Sequence, residues 1–418
     1  MCVPMFNFTD VIDRMGHDSI AADAAGAISG GSLGPVDAVV CEGFDVIPMW
    51  VADMGFATAP SVLRAMRERL EHPCFGYFEY PQEYYDRIAW WHERRNGVVG
   101  LEPENIGYEN GVLGGVANAL AVVCSCGDKV LVHAPTYTGF TNTLKNAGYD
   151  LVTSWLQRDA EGVWRMDYED MERKLATREI HAAILCSPHN PTGRVWERWE
   201  LERAMGLFRK YDVYVISDEI WSDIVLGGSV HIPTQSVSDD ARMRTVALYA
   251  PSKTFNLAGL IGSYRVVYNP WLQARLDKQA SLSHYNMQNV LSMHALLGAY
   301  SDEGAAWVDE LREVLGRNAR IASEFFEGIA GVDFARPQGT YMLFLDCGGW
   351  CTAHGMGIDE LLRSGVEVGV LWQDGRPFGG DKTIRINLAL PTARLREALE
   401  RLAAYVFVRW GRSSLWRM

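Results

Sequence analysis

The chain has 418 residues, 48% of them hydrophobic and 22% charged, which is ordinary composition for a soluble globular protein with room for two domains. A formal net charge of −13 argues against nucleic acid or an anionic membrane surface as a partner. No apolar run approaches the ~18 residues of a membrane span, and no repeat of solenoid period is present.

The opening stretch "MCVPMFNFTDVIDRMG" lacks the basic segment and apolar core of a secretory leader, so a cytoplasmic protein is expected. "SIAADAAGAISGGSLGPVDA" is rich in Ala, Gly and Ser and reads as an arm or extended loop before the first ordered segment, "FDVIPMWVADM". In "TAPSVLRAMRERLEH", Thr58 reads as the cap and Pro60 as the first-turn proline of an amphipathic helix.

Between about residues 100 and 270 the pattern alternates. Apolar strand candidates "KVLVHAP", "AAILCSP", "VYVISDE", "TVALYAP" and "SYRVVY" are separated by helical stretches such as "RWELERAMGLFRKY". That rhythm predicts an α/β fold whose mainly parallel sheet is covered by helices on both faces. Beyond about 270, long helical segments, two short strands ("GTYMLFLDC", "TIRINLAL") and a last helix from about Arg394 predict a smaller α+β unit. The expected division is 1–54 as arm and part of the small domain, 55–300 as the large domain, and 301–418 as the small C-terminal domain.

The eight cysteines are scattered, and the one C-x-C (Cys124, Cys126) has no second pair at metal-ligand spacing. Buried free thiols are expected, and no metal site.

The strand candidates end in turns of unusual composition: "HAPTY", "SPHNPTG", "SDEIW" and "APSKT". Ligands of open α/β sheets bind outside the carboxyl ends of the strands, so the turns point to one shared crevice. In "SPHNPTG" two prolines frame a rigid turn presenting Asn190. Asp218 closes a very apolar strand, where a buried carboxylate needs a partner. Lys253 in "YAPSKTFNLAGL" follows another strand. Alone, it fits either a lysine that snorkels out of a loop or a buried amine held neutral for imine chemistry.

Asn, Asp and Lys at successive strand ends meet the needs of pyridoxal phosphate. Lys253 would hold the aldehyde, Asp218 would keep the ring nitrogen protonated, and Asn190 would bond the phenolic oxygen. Tyr137 in "HAPTYTGF" is the candidate to stack on the ring. "ENGVLGGVANAL" offers a glycine turn entering a helix, so the amides of Gly111, Val112 and Leu113, with the Ser252 hydroxyl, are the candidate phosphate cradle. That turn lacks both G-x-G-x-x-G and a Walker lysine, which disfavours a nicotinamide oxidoreductase or a nucleotide site.

"SPHNPTGRVW", "SDEIWSDIV" and "APSKTFNLAGL" resemble the fold-type I pyridoxal-phosphate enzymes of the class I/II aminotransferase superfamily. "MWVADMGFATAP", "FGYFEY" and the "IPT" after "SVH" resemble its branch of cystathionine β-lyase-type carbon–sulfur lyases, which includes the maltose-regulon modulator. The resemblance spans "DVIDRMG" to "IRINLALP". It implies that Arg385 clamps the substrate α-carboxylate, a task suited to arginine's bidentate fork. It further implies that Tyr77 reaches the cofactor phosphate of the other subunit of a homodimer, and that Tyr341 lines the substrate side.

Four positions depart from the superfamily pattern. Ile261 stands where many aminotransferases have a phosphate-gripping arginine, as in the lyase branch. Trp221 replaces a common tyrosine and can only donate a hydrogen bond. Gly55 stands in "DMGF" where the branch has "DMDF", and Ala250 replaces a frequent serine. The expected activity is β-elimination from cystathionine or a cysteine S-conjugate, giving thiol, pyruvate and ammonia. The alternatives are an aminotransferase acting on an L-amino acid and a non-enzymatic regulator, the latter disfavoured by the intact lysine and carboxylate clamp.

Overall fold

The computed structural model describes residues 5–23, 38–283 and 287–407. A seven-stranded sheet forms its centre: β1 (Ile106–Glu109), β2 (Lys129–Ala134), β3 (Asp150–Trp155), β4 (Ile180–Cys186), β5 (Tyr214–Asp218), β6 (Thr245–Tyr249) and β7 (Ser263–Val266). The spatial order is β1-β7-β6-β5-β4-β2-β3. Only β7 pairs antiparallel with its neighbours; the other pairs are parallel. This is the expected α/β class, and each strand read from the apolar pattern is present.

The central strands are buried on both faces, and their residues divide by parity. Val130, Val132, Ile184, Cys186, Ile216 and Leu248 join the core beneath the helices Val112–Val123 and Thr138–Ala147. Leu131, Leu185 and Val215 face the opposite side, with Leu201 and Phe208 of the helix Arg198–Tyr211. Successive strand side chains alternate faces, so Asp218, two residues after Ile216, shares the face of the Val112–Val123 helix.

A second, antiparallel sheet has the order β8-β9-β11-β10, from β8 (Asp333–Phe334), β9 (Met342–Asp346), β10 (Gln373–Asp374) and β11 (Thr383–Asn387). The helix Asp302–Glu327 buries Trp307, Leu311 and Leu315 along one face, and Ser301 caps it by accepting from the Gly304 amide. Near the other end of the chain, Ile47–Pro48 pairs in parallel with Val370–Leu371.

Three local expectations are corrected. Thr58 is not the cap of the helix Pro60–Leu70: Ala59 occupies that position without a side-chain bond, and the buried Thr58 hydroxyl has no hydrogen-bond partner. Pro60 does open the helix. Order also begins before "FDVIPMWVADM", because Phe8 packs edge-on against Phe56 and tilted against Trp307 in the core, and Ile20–Asp23 forms one helical turn. Of the proposed arm, residues 24–37 lie outside the described residues. The described cysteines are all free, but Cys41, Cys74 and Cys126 are exposed rather than buried, since they sit in loops and not on core faces. Among the described residues no helix is long and apolar enough to cross a membrane, and no His/Cys/Asp/Glu group is arranged to hold a metal.

Candidate active site

Parallel pairing sets Cys186 of β4 beside Asp218 of β5, and Asp218 beside Leu248 of β6. The turns leaving these strands enclose a cavity of about 260 Å³. Gly111, Val112, Leu113, Tyr137, Asn190, Asp218, Trp221, Ser252 and Lys253 all line it, so nine predicted positions spread over more than 140 residues meet in one place.

Asp218 is buried, and its Oδ1 accepts from the Ile220 amide at 3.1 Å. Burial pushes its carboxyl up to about 7, against the downward pull of that amide and of Lys253. The next residue, Glu219, faces the other way. Its carboxylate accepts from Ser217 Oγ (2.9 Å), the Thr234 amide (3.0 Å) and Tyr249 OH (2.7 Å), and meets His231 Nε2 at 2.7 Å. Burial alone would raise its pKa, but the His231 contact and these donors hold it below the usual glutamate value.

The Lys253 ammonium donates to the Ala52 carbonyl at 2.8 Å and lies 5.8 Å from the centre of the Trp221 ring. Burial, helped by the Arg385 cation, pushes its pKa down to about 8 against Asp53 and Asp218. Lys253 is thus a half-buried amine of lowered pKa at the cavity wall, closer to the second reading than to a lysine that snorkels into solvent.

Gly111 caps the helix Val112–Val123 with φ at +76°, a conformation that favours glycine, and no side chain caps this end. The first intrahelical bond runs from the Gly115 amide to the Gly111 carbonyl, leaving the Val112 and Leu113 amides without helical acceptors at the cavity wall. Such an end attracts an anion.

Three predicted residues do not line the cavity. Arg385 on β11 is buried one layer out and donates to Asn190 Oδ1 at 3.0 Å and to the Trp50 carbonyl at 3.1 Å. Among the described residues its guanidinium meets no carboxylate, and its Nε has no acceptor. Burial lowers its pKa to about 10. Tyr341 shares the Ala52 carbonyl with Lys253, donating at 3.1 Å, and packs edge-on against Trp221 at 4.6 Å between ring centres. Tyr77 is fully exposed.

The Asn190 turn is held from behind. Gly193 has φ at +69°, and its carbonyl accepts from the amides of Gln338 and Gly339. A Cβ there would stand 2.7 Å from Pro337 Cβ. Gly193→Ala is therefore expected to destabilise the protein by about 2–4 kcal/mol, strain and overpacking together, read as a lowered midpoint of thermal unfolding.

Sequence reasoning missed Cys186, Ile220 and the Ala52 carbonyl, which also line the cavity. Cys186 was legible in principle: it ends a strand in step with Asp218. The Ala52 carbonyl carries no side-chain signal. It is positioned by Asn387, whose amide donates to the Val51 and Asp53 carbonyls, and by Asn256, which donates to Met54 and Phe56.

A half-buried amine of lowered pKa, a buried carboxylate one strand away and an anion-attracting helix start, all on one cavity, fit pyridoxal phosphate. Each is a polar group that the fold leaves incompletely satisfied and that this molecule complements.

Residues 45–402 match the family described as aminotransferase class I and II. The chain is 33% identical to cystathionine β-lyase PatB of Bacillus subtilis, covering 95% of this chain and 99% of that one. It is 30% identical to protein MalY of Escherichia coli, over 94% and 97%. The solved structure of a PLP-bound C–S lyase from Staphylococcus hominis superposes with a TM-score of 0.84 at 28% identity, over 96% of this chain and 98% of that one. This chain belongs to the aminotransferase class I and II family.

Proposed function

We propose that the protein is a pyridoxal-phosphate-dependent carbon–sulfur β-lyase acting on cystathionine or a cysteine S-conjugate. The observation that carries this reading is the Lys253 amine of lowered pKa lining the same cavity as the buried Asp218 carboxyl. Similarity over almost the whole chain to a cystathionine β-lyase favours elimination over transamination. Ile261 beside the phosphate end agrees, since no arginine stands there.

When bound, pyridoxal phosphate supplies an aldehyde and an electron-accepting ring. The chain's own residues do the rest. Arg385 takes the substrate α-carboxylate, for which its buried guanidinium has spare donors. Lys253 Nζ removes the Cα proton, and its lowered pKa leaves about a tenth of it unprotonated at pH 7, far more than a solvated lysine would have. Asp218 holds the proton on the ring nitrogen, and Tyr137 and Trp221 close the cavity against water. The Cβ–S bond breaks, and with one water the products are thiol, pyruvate and ammonium.

Arg385→Lys keeps the charge but loses the fork, and is expected to lower kcat/KM by about 30- to 1,000-fold, mostly through KM. An unchanged KM would move the carboxylate clamp elsewhere. The reaction is tested by giving the purified protein cystathionine alone and assaying pyruvate with free thiol. An obligatory 2-oxo acid acceptor, with no thiol released, would make it an aminotransferase.

We further infer a homodimer in which the fully exposed Tyr77 reaches the cofactor phosphate of the second copy, and a division into the three segments expected from the sequence. Pairing of Ile47–Pro48 with Val370–Leu371 supports joining the first segment to the last.

A further inference from the structure

A cleft larger than the cavity of Lys253 lies apart from it. It has a volume of about 920 Å³ and lies between the helix Asp302–Glu327 and the segments 158–164, 226–229 and 334–338. Arg312, Arg317 and Arg320 project from one side of that helix into its lining. Positions 317 and 320 are neighbours on a helix surface, so two of these charges repel.

The other arginines of the lining are neutralised. Arg158 pairs with Asp333 at 2.6 Å, Arg336 binds Glu327 through two bonds of 2.7 Å, and Arg194 spends its guanidinium on Glu200, Glu197, Gln338 and the Val195 carbonyl. Arg312, Arg317 and Arg320 have no ion pair among the described residues. Arg312 Nε donates to the Val225 carbonyl at 3.0 Å, which fixes the half-buried side chain and leaves both terminal nitrogens uncommitted. Two carboxylates of the lining, Glu161 and Glu313, are also unpaired among the described residues, but both are exposed. Glu313 points away from Arg312 but stands one helical turn before Arg317 without forming an ion pair with it, so it is the carboxylate that competes with an anion for this face.

A chain with 52 acidic and 39 basic residues has carboxylates to spare. Three guanidiniums without an ion pair among the described residues, Arg312 having carboxylates (Asp223, Asp309) within electrostatic reach, line a recess of ligand size and form a receptor for oxyanions. We infer that this cleft binds a small molecule carrying several phosphate or carboxylate groups, apart from the substrate cavity. The inference stands on the cleft alone and not on the reaction proposed above. Thr192 and Arg194 line it, two and four residues beyond Asn190, so its occupant rests against the back of the active-site turn.

The test is calorimetric titration of the cofactor-loaded protein with sodium pyrophosphate and, separately, with citrate. Saturable binding of at least one is expected, identifying phosphate or carboxylate as the preferred group. Arg317→Ala/Arg320→Ala, at exposed positions without partners, should weaken it about tenfold or more, and Glu313→Gln should tighten it by about threefold. Arg385→Ala should leave it unchanged. Saturation by neither probe, affinity unchanged in the double variant, or loss of binding in Arg385→Ala would each overturn the assignment.

Discussion

Lys253→Ala is expected to lower kcat by at least about 10⁴-fold, because the proposed mechanism gives one side chain the tasks of both attachment point and base. The same variant should lose the near-visible absorbance that pyridoxal phosphate shows when joined to a protein amine. Lys253→Arg should restore neither, since a guanidinium stays protonated. The pH dependence follows from the environment. A solvated lysine sheds its proton near 10.5, but burial and the Arg385 cation bring Lys253 to about 8. Only the neutral amine attacks an aldehyde. Capture of pyridoxal phosphate by cofactor-free protein should therefore speed up about tenfold per pH unit below 8 and level off above it. Asp218 titrates lower, near 7, so the break above it belongs to the amine. A rate that keeps climbing to pH 10 would mean that the amine is solvated.

The residues legible in the sequence were those whose chemistry is local. Asn190, Asp218 and Lys253 each end a strand-and-turn unit, so apolar runs followed by a polar residue located them. The uncapped helix start was visible as Gly111 before an apolar helix. What stayed hidden depends on contacts across the chain. The Ala52 carbonyl meets Lys253 over 201 residues and Tyr341 over 289. The anionic state of Glu219 comes from His231, Tyr249 and Thr234, which no motif ties together. Arg385 could be assigned a role only by resemblance, because "TIRIN" reads equally as a solvated strand edge. Its burial comes from pairing on both sides, with β9 and β10. Thr58 failed as a cap for the opposite reason: a good local signal was overridden when the chain placed Ala59 at the helix start.

Asp218→Asn separates stability from catalysis. In cofactor-free protein the native carboxyl sits near pH 7, far above its value of 3.8 when unfolded. The folded state thus binds the extra proton between about pH 4 and 7, so stability falls as pH rises through that interval and stays reduced above it. Asparagine keeps an oxygen for the Ile220 amide but has no charge to bury. Above pH 7 the cofactor-free variant is expected to be more stable than the parent by about 2–4 kcal/mol, with little difference below pH 4. Loaded with cofactor, the sign is expected to reverse. In the proposed role the carboxylate would neutralise the protonated ring nitrogen, and its removal is expected to lower kcat by about 10²–10³-fold. Thermal midpoints with and without cofactor, at pH 5 and pH 8, distinguish the two cases. A variant less stable than the parent in both forms would mean that Asp218 is held charged by a partner within the protein, and its assignment to the ring nitrogen would fall.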